Sequence, residues 1–234
     1  MSRASADPRI LRGMEAQLKL REKRLSAGEK SIGWKVGFGA PASLEALKID
    51  APLVGFLTDA ILIPSGGVVS IDGWTKPLVE PEIAVHLGQD VQGSVDGETV
   101  REAVAGVSPA IELADVHFPP DDVEAILVGN IYNRNLILGP SDASCAGCVL
   151  DGLTGRIYRD GVETASTKQF QALTGEPLAI IAHVAELLAM FGQKLSAGDV
   201  IILGSIVPPI FTTTTEEVRF WLDPLESISV KLVV

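Results

Sequence analysis

Two glutamates set one residue apart inside an apolar run constrain this chain more than any other feature. The run is Leu78-Val79-Glu80-Pro81-Glu82-Ile83-Ala84-Val85, and a third glutamate stands in a similar setting, Pro109-Ala110-Ile111-Glu112-Leu113. Both runs read as strands. Side chains at i and i+2 of a strand share a face. Glu80 and Glu82 therefore point to one place, and Glu112 can reach it from a neighbouring strand. Desolvating a carboxylate is costly, and three together repel unless a cation holds them. An all-oxygen set suits a hard divalent ion, Mg²⁺ or Mn²⁺. The competing reading puts the pair on an edge strand facing solvent, with Glu112 against an arginine. Pro81 favours an edge, where a missing N–H is tolerated and a cleft can open.

A chain of 234 residues suits one compact unit. Within it, residues 1–50 read as a helical N-terminal segment and residues 51–234 as a β-rich catalytic domain. The apolar fraction of 47% supports a buried core, and the net charge of −11 argues against nucleic acid or an anionic membrane as partner. There is no uninterrupted apolar run of the length that spans a bilayer. The stretch from Met1 to Arg12 lacks the apolar core of a signal peptide. The expectation is a soluble cytoplasmic protein. Cys145 and Cys148 form a Cys-x-x-Cys pair, but no second pair and no thioredoxin-like pattern accompany it. Two ordinary thiols are expected there.

Along the chain, residues 8–27 read as an amphipathic helix carrying Ile10, Met14 and Leu18, opened by Asp7-Pro8 and closed by Ala27-Gly28. A short strand from Ser31 enters a glycine-rich loop at Gly37-Phe38-Gly39, which lacks the third glycine of a dinucleotide fingerprint. Residues 41–48 read as a short helix. Apolar runs at 60–63, 67–71, 82–87, 109–114 and 134–138 read as strands, joined by 147–160 and 200–206. Helices are expected at 98–106, near Asp121-Asp122, and from Glu176 to Phe191. The last strand places Ile228, Val230, Leu232 and Val234 on one face. Without regular βαβ alternation, an α+β class fits best.

Other residues add to the carboxylates. Lys35, in Ile32-Gly33-Trp34-Lys35-Val36, reads either as a lysine whose stem covers the core or as a site lysine. Three carboxylates with one divalent ion leave a charge of −1, which a fixed lysine would correct while relaying protons. His86 is in phase with Glu80 and Glu82. His183 lies in an apolar helix. His117, five residues past Glu112, is the histidine best placed for a pocket. Ser205 follows Leu203-Gly204 without the turn of a nucleophile elbow.

Taken together, Gly33-Trp34-Lys35-Val36-Gly37, Gly55-Phe56-Leu57-Thr58-Asp59, Glu80-Pro81-Glu82-Ile83-Ala84, Pro109-Ala110-Ile111-Glu112, Gly129-Asn130, Gly175-Glu176-Pro177-Leu178 and Gly198-Asp199-Val200-Ile201-Ile202 span nearly the whole chain. In this order they resemble the 2-keto-4-pentenoate hydratase and 4-oxalocrotonate decarboxylase family of the fumarylacetoacetate hydrolase superfamily. The resemblance implies a mixed β-sheet roll, fumarylacetoacetate hydrolase C-terminal-like, with flanking helices. It implies Mg²⁺ or Mn²⁺ on Glu80, Glu82 and Glu112, and Lys35 as the active-site lysine.

The implied activity is hydration of a 2-hydroxydienoate or 2-oxoenoate from aromatic compound catabolism. Lys35 and Asp59 would move protons, and Asn130, Ser205 and His117 would contact substrate. Decarboxylation, C–C hydrolysis and a non-catalytic complex subunit are the alternatives. A homo-oligomer is expected, with a pathway enzyme as a further partner. Departures fall at Asp59-Ala60, at His117, at Ile131 and Tyr132, at Leu203, and at Ser166-Thr167-Lys168-Gln169-Phe170 where a glycine-rich loop is usual.

Overall fold

Asp7 opens the first helix as the sequence implies. In the computed structural model, which describes residues 7–234, its side chain accepts the Arg9 N–H and Pro8 occupies the first turn of α1 (Pro8–Ser26). Residues 1–6, half of the stretch read for a signal core, lie outside the described residues. Ile10, Met14 and Gln17 are buried on one face of α1. The Gln17 amide donates to Leu127 O at 2.9 Å and Val54 O at 3.1 Å, tying α1 to α4 (Val123–Val128) and to β2 (Leu53–Thr58).

The main sheet also contains β1 (Ser31–Gly37), β4 (Pro77–Leu87), β5 (Val104–Asp115), β6 (Asn133–Leu138), β9 (Val200–Ser205) and β10 (Ile210–Phe211). Its order is β2-β1-β9-β4-β5-β6, with β10 also pairing β4. β1 and β9 run parallel, and the other neighbours are antiparallel. β1 thus draws the chain before residue 51 into the sheet, between β2 and β9. Gly33 makes the parallel pairing possible. Its φ is +143°, and a Cβ there would sit 1.9 Å from Val200 O.

A second sheet has the order β3-β12-β11-β7-β8 and packs against β5 through β11 and β12. Its strands are β3 (Gly67–Ser70), β7 (Thr154–Arg159), β8 (Val162–Thr167), β11 (Glu216–Asp223) and β12 (Ser227–Val233). Helices α2 (Pro41–Leu47), α3 (Gly97–Ala103) and α5 (Pro177–Ala189) complete the fold, with Glu176 capping α5. The result is an α+β fold: a mixed, curled sheet with an N-terminal helix. Among the described residues, no helix is long and apolar enough to cross a membrane.

Several sequence expectations shift. The run at 60–63 begins inside a 3-10 turn, Asp59–Ile61. The strand expected over 147–160 starts only at Thr154. Positive φ at Gly147, Cys148 and Gly152 breaks the extended backbone before it. The helix at 98–106 stops at Ala103, because Val104 already adopts extended geometry and starts β5. Ser166 and Thr167 are strand residues, paired with Arg156 and Gly155, and Phe170 is buried. Val234 lies past the end of β12 and is exposed.

Candidate metal centre and active site

β4 and β5 align Glu80 directly opposite Glu112. Directly opposed residues of an antiparallel pair share a face, and Glu82 joins them at i+2. One carboxylate oxygen from each lies within 4.8 Å of the others. Glu82 and Glu112 are buried and Glu80 is half-buried. The edge-strand expectation for Pro81 is corrected: β4 is an inner strand, between β5 and β9 with β10. Pro81 is accommodated because the neighbouring chain leaves β9 at this point. On that side Ile206 N donates to the Pro81 carbonyl at 2.9 Å, while Ile111 of β5 lies opposite on the other.

Lys35 reaches this cluster from β1. It is 2% exposed, and its Nζ donates to Glu112 Oε1 and, at 3.3 Å, to the Ile131 carbonyl. Gly55 faces Lys35 across the β1–β2 pair. A Cβ at Gly55 would lie 2.9 Å from both Lys35 Cγ and Asn130 Oδ1, so the bare backbone admits both side chains. The Ile131 carbonyl is presented by an unusual run. Asn130, Ile131 and Tyr132 all have left-handed φ, at 51°, 52° and 61°. Three such non-glycine residues store strain that the surroundings must hold in place. The Asn130 amide does so. It accepts the Phe56 N–H at 2.9 Å and donates to the Phe56 carbonyl at 3.0 Å.

Asn133 Nδ2 donates to Glu112 Oε1 at 2.8 Å. Lys35 and Asn133 thus occupy Oε1, while Glu112 Oε2 is buried with no hydrogen-bond partner. An orphaned buried carboxylate oxygen beside two further carboxylates fits a hard cation. On Glu82, Oε2 accepts the Gly204 N–H at 2.6 Å, which orients the group.

The electrostatics agree. Burial, then the Glu112 charge, pushes the Glu80 carboxyl up to about 7, and Lys35 opposes this. Burial, then Glu112 and Glu80, raises Glu82 well above the ordinary carboxylate range, against Lys35 and the Gly204 N–H. One lysine does not balance three carboxylates.

The cluster opens into a cavity of about 260 Å³. Lys35, Glu80, Glu82 and Ser205 lie at its polar end, while Leu78, Val207 and Phe211 contribute apolar wall. The family profile described as fumarylacetoacetate hydrolase C-terminal matches residues 35–232. The chain belongs to the fumarylacetoacetate hydrolase superfamily.

Within this superfamily it falls in the 4-oxalocrotonate decarboxylase and 2-keto-4-pentenoate hydratase family. It is 27% identical to a 4-oxalocrotonate decarboxylase of Pseudomonas putida over 93% of this chain and 83% of that one. It is 30% identical to a 2-hydroxyhexa-2,4-dienoate hydratase of Comamonas testosteroni over 82% of this chain and 73% of that one. The structure of the decarboxylase from Pseudomonas putida G7, complexed with magnesium and adipate, superposes with a TM-score of 0.85 at 25% identity, covering 94% of this chain and 85% of that one.

In this superfamily member, the structure brings together four of the residues singled out by sequence, namely Lys35, Glu80, Glu82 and Glu112, and sets Ser205 beside them. Ser205 Oγ donates to Val207 O at 2.7 Å, leaving its oxygen lone pairs for a ligand. Asp59 is exposed, outside the cavity lining, and accepts the Lys30 N–H at 2.8 Å. Both ends of the Asn130 amide are engaged by Phe56. His117 Nδ1 is 2.8 Å from the Asp115 carbonyl, and its ring packs edge-on to Phe118 and Tyr132 behind the cavity wall.

His86 binds Ser108 Oγ rather than the cluster, and His183 binds the Pro52 carbonyl. Cys145 and Cys148 are free, and burial pushes the Cys148 thiol up to about 12, far from a reactive thiolate. Sequence reading missed Asn133 and the Ile131 carbonyl. Their roles come from the left-handed run before β6, which no local pattern announces.

Proposed function

We propose that this chain is a divalent-metal-dependent lyase of 2-oxoenoates and 2-hydroxydienoates, with hydration as its leading reaction. The carrying observation is the group Glu80, Glu82 and Glu112, with Lys35 bonded to Glu112, at the polar end of one cavity. Glu80, Glu82 and Glu112 would hold Mg²⁺ or Mn²⁺, which would supply Lewis acidity for the enolate charge of a 2-oxo acid.

The rest of the work falls to the protein's own groups. Lys35 Nζ, held between Glu112 and the Ile131 carbonyl, gives an ammonium proton to the dienol carbon and regains one from the 2-hydroxyl, so tautomerisation leaves it unchanged. Asn130 and Asn133 hold that geometry, as positioning residues. Ser205, whose proton is committed to Val207 O, can accept from the 2-hydroxyl of a dienoate or from the incoming water. The apolar wall of Leu78, Val207 and Phe211 limits water around the carbon chain. Hydration of 2-hydroxypenta-2,4-dienoate then adds one water across the terminal double bond and yields 4-hydroxy-2-oxopentanoate. Asp59, exposed on its turn, would take part in proton exchange only through solvent, and His117 would act by supporting Tyr132.

Decarboxylation is the second reading, supported by the likeness to decarboxylases over more than nine-tenths of this chain. There, 2-oxohex-3-enedioate loses CO₂ and leaves its electron pair in the same dienolate. Supplying both substrates to the Mg²⁺-loaded protein tests the proposal. Loss of the dienoate chromophore without gas release marks a hydratase, and CO₂ release marks a decarboxylase. Turnover of neither, nor of related 2-oxoenoates, overturns the reading.

A further inference from the structure

The chain residues Lys76, Leu78, Glu80 and Glu82 all line the same cavity. Their spacing is the period-two spacing of one strand face, continued one residue before β4 begins. Lys76 is exposed at the cavity rim, but its backbone is fixed. Its N–H and that of Thr75 donate to Oδ1 of Asp115 at 2.9 Å each, and its carbonyl accepts the Val116 N–H at 3.1 Å. Asp115 is itself buried, with Arg134 bonded to its other oxygen at 3.1 Å. The Lys76 ammonium lies 4.4 Å from the centroid of the Phe211 ring, which also lines the cavity. Among the described residues no carboxylate pairs with it, whereas the other cavity lysine, Lys35, is committed to Glu112.

We infer that Lys76 binds a second carboxylate, at the far end of the substrate, and makes this a site for dicarboxylic 2-oxoenoates. The inference rests on the proposed function, which puts the 2-oxo acid end at Glu80, Glu82 and Glu112. Lys76 and Glu80, the nearest carboxylate of the row, are four residues apart, about 13 Å between backbones at ~3.3 Å per strand residue. The lysine side chain spans part of that gap, and a carbon chain lying over Leu78 spans the rest.

The charges agree with this assignment. Three carboxylates, Lys35 and one divalent ion sum to zero, so nothing at the polar end is left to neutralise a second substrate carboxylate. Lys76 supplies that charge where the apolar wall ends. An ammonium ion on a departing carboxylate would stabilise reactant more than transition state. Lys76 therefore suits a carboxylate that remains in the product, as in hydration.

The test compares two unreactive probes, 2-oxoadipate and 2-oxohexanoate, which differ only in the far carboxylate. Their affinities are measured by calorimetry on Mg²⁺-loaded wild type, Lys76→Met and Lys76→Arg. Wild type should prefer the diacid by about tenfold or more, as a charge-assisted hydrogen bond provides. Lys76→Met should abolish the preference, and Lys76→Arg should retain most of it. A preference that is absent in wild type, or undiminished in Lys76→Met, overturns the assignment. Turnover plays no part in the readout, so an enzyme inactive on every 2-oxoenoate would sink the proposed function while these affinities still decide the role of Lys76.

Discussion

Lys35 donates to Glu112 at a place where neither side chain meets solvent: they are 2% and 0% exposed. A buried ion pair contributes modestly to stability as a pair, but removing one partner strands the other charge. Here the stranded charge would sit beside Glu80 and Glu82. Lys35→Met should therefore destabilise the metal-free protein by about 3–5 kcal/mol. Urea denaturation measures this, and a change below about 1 kcal/mol would mean the ammonium does not hold the cluster together. Mg²⁺ should recover part of the loss by restoring positive charge.

Asn133 touches the centre only through Glu112, whose Oε1 it holds at 2.8 Å. Such outer partners orient a ligand and commonly matter by 10–100-fold in metal affinity. Asn133→Leu should weaken Mg²⁺ binding by about that range in calorimetry, with the fold intact by circular dichroism. Unchanged affinity would remove Asn133 from the centre.

The raised carboxyls give a pH signature. Glu80 titrates at about 7 in the fold against an ordinary value of 4.5, and Glu82 is shifted the same way. Between those pH values the folded chain holds more protons than the unfolded one, so these groups make stability fall as pH rises. The metal-free protein should lose thermal stability through them between about pH 5 and pH 8. Bound Mg²⁺ favours the ionised carboxylates, so the gain in Tm on adding it should be larger at the upper pH. A gain that shrinks as pH rises, measured by differential scanning fluorimetry, would contradict a site built on these glutamates.

The parts of this molecule that sequence revealed are those whose geometry repeats locally. Glu-x-Glu alternation put Glu80 and Glu82 on one face, and β4 bears this out. The Asp7-Pro8 opening and the apolar face read from Glu176 to Phe191 located α1 and α5 within a residue or two. Long-range pairing was beyond local pattern. Pro81 signals an edge in isolation, but β4 is internal, and the proline is tolerated only because β9 gives way to β10 beside it.

Likewise, β1 joins β9 across most of the chain, which puts a strand from the expected helical segment inside the sheet, between β2 and β9. Three successive left-handed residues at Asn130–Tyr132 have no glycine to announce them, so Asn133 and the Ile131 carbonyl stayed hidden. The same run ties Asn130 to Phe56, a role that its position in a family-like motif did not reveal.

The central claim is that Glu80, Glu82 and Glu112 hold the ion on which turnover of a 2-oxoenoate depends. The most direct measurement pairs Mg²⁺ affinity with turnover of 2-hydroxypenta-2,4-dienoate and of its dicarboxylic analogues, in wild type and Glu82→Gln. The expected result is Mg²⁺-dependent turnover in wild type, suppressed by chelation. In Glu82→Gln both turnover and Mg²⁺ affinity should fall by about 100-fold or more, beyond the usual effect of an outer partner. Chelator-resistant turnover in wild type, or full activity in Glu82→Gln, would contradict it.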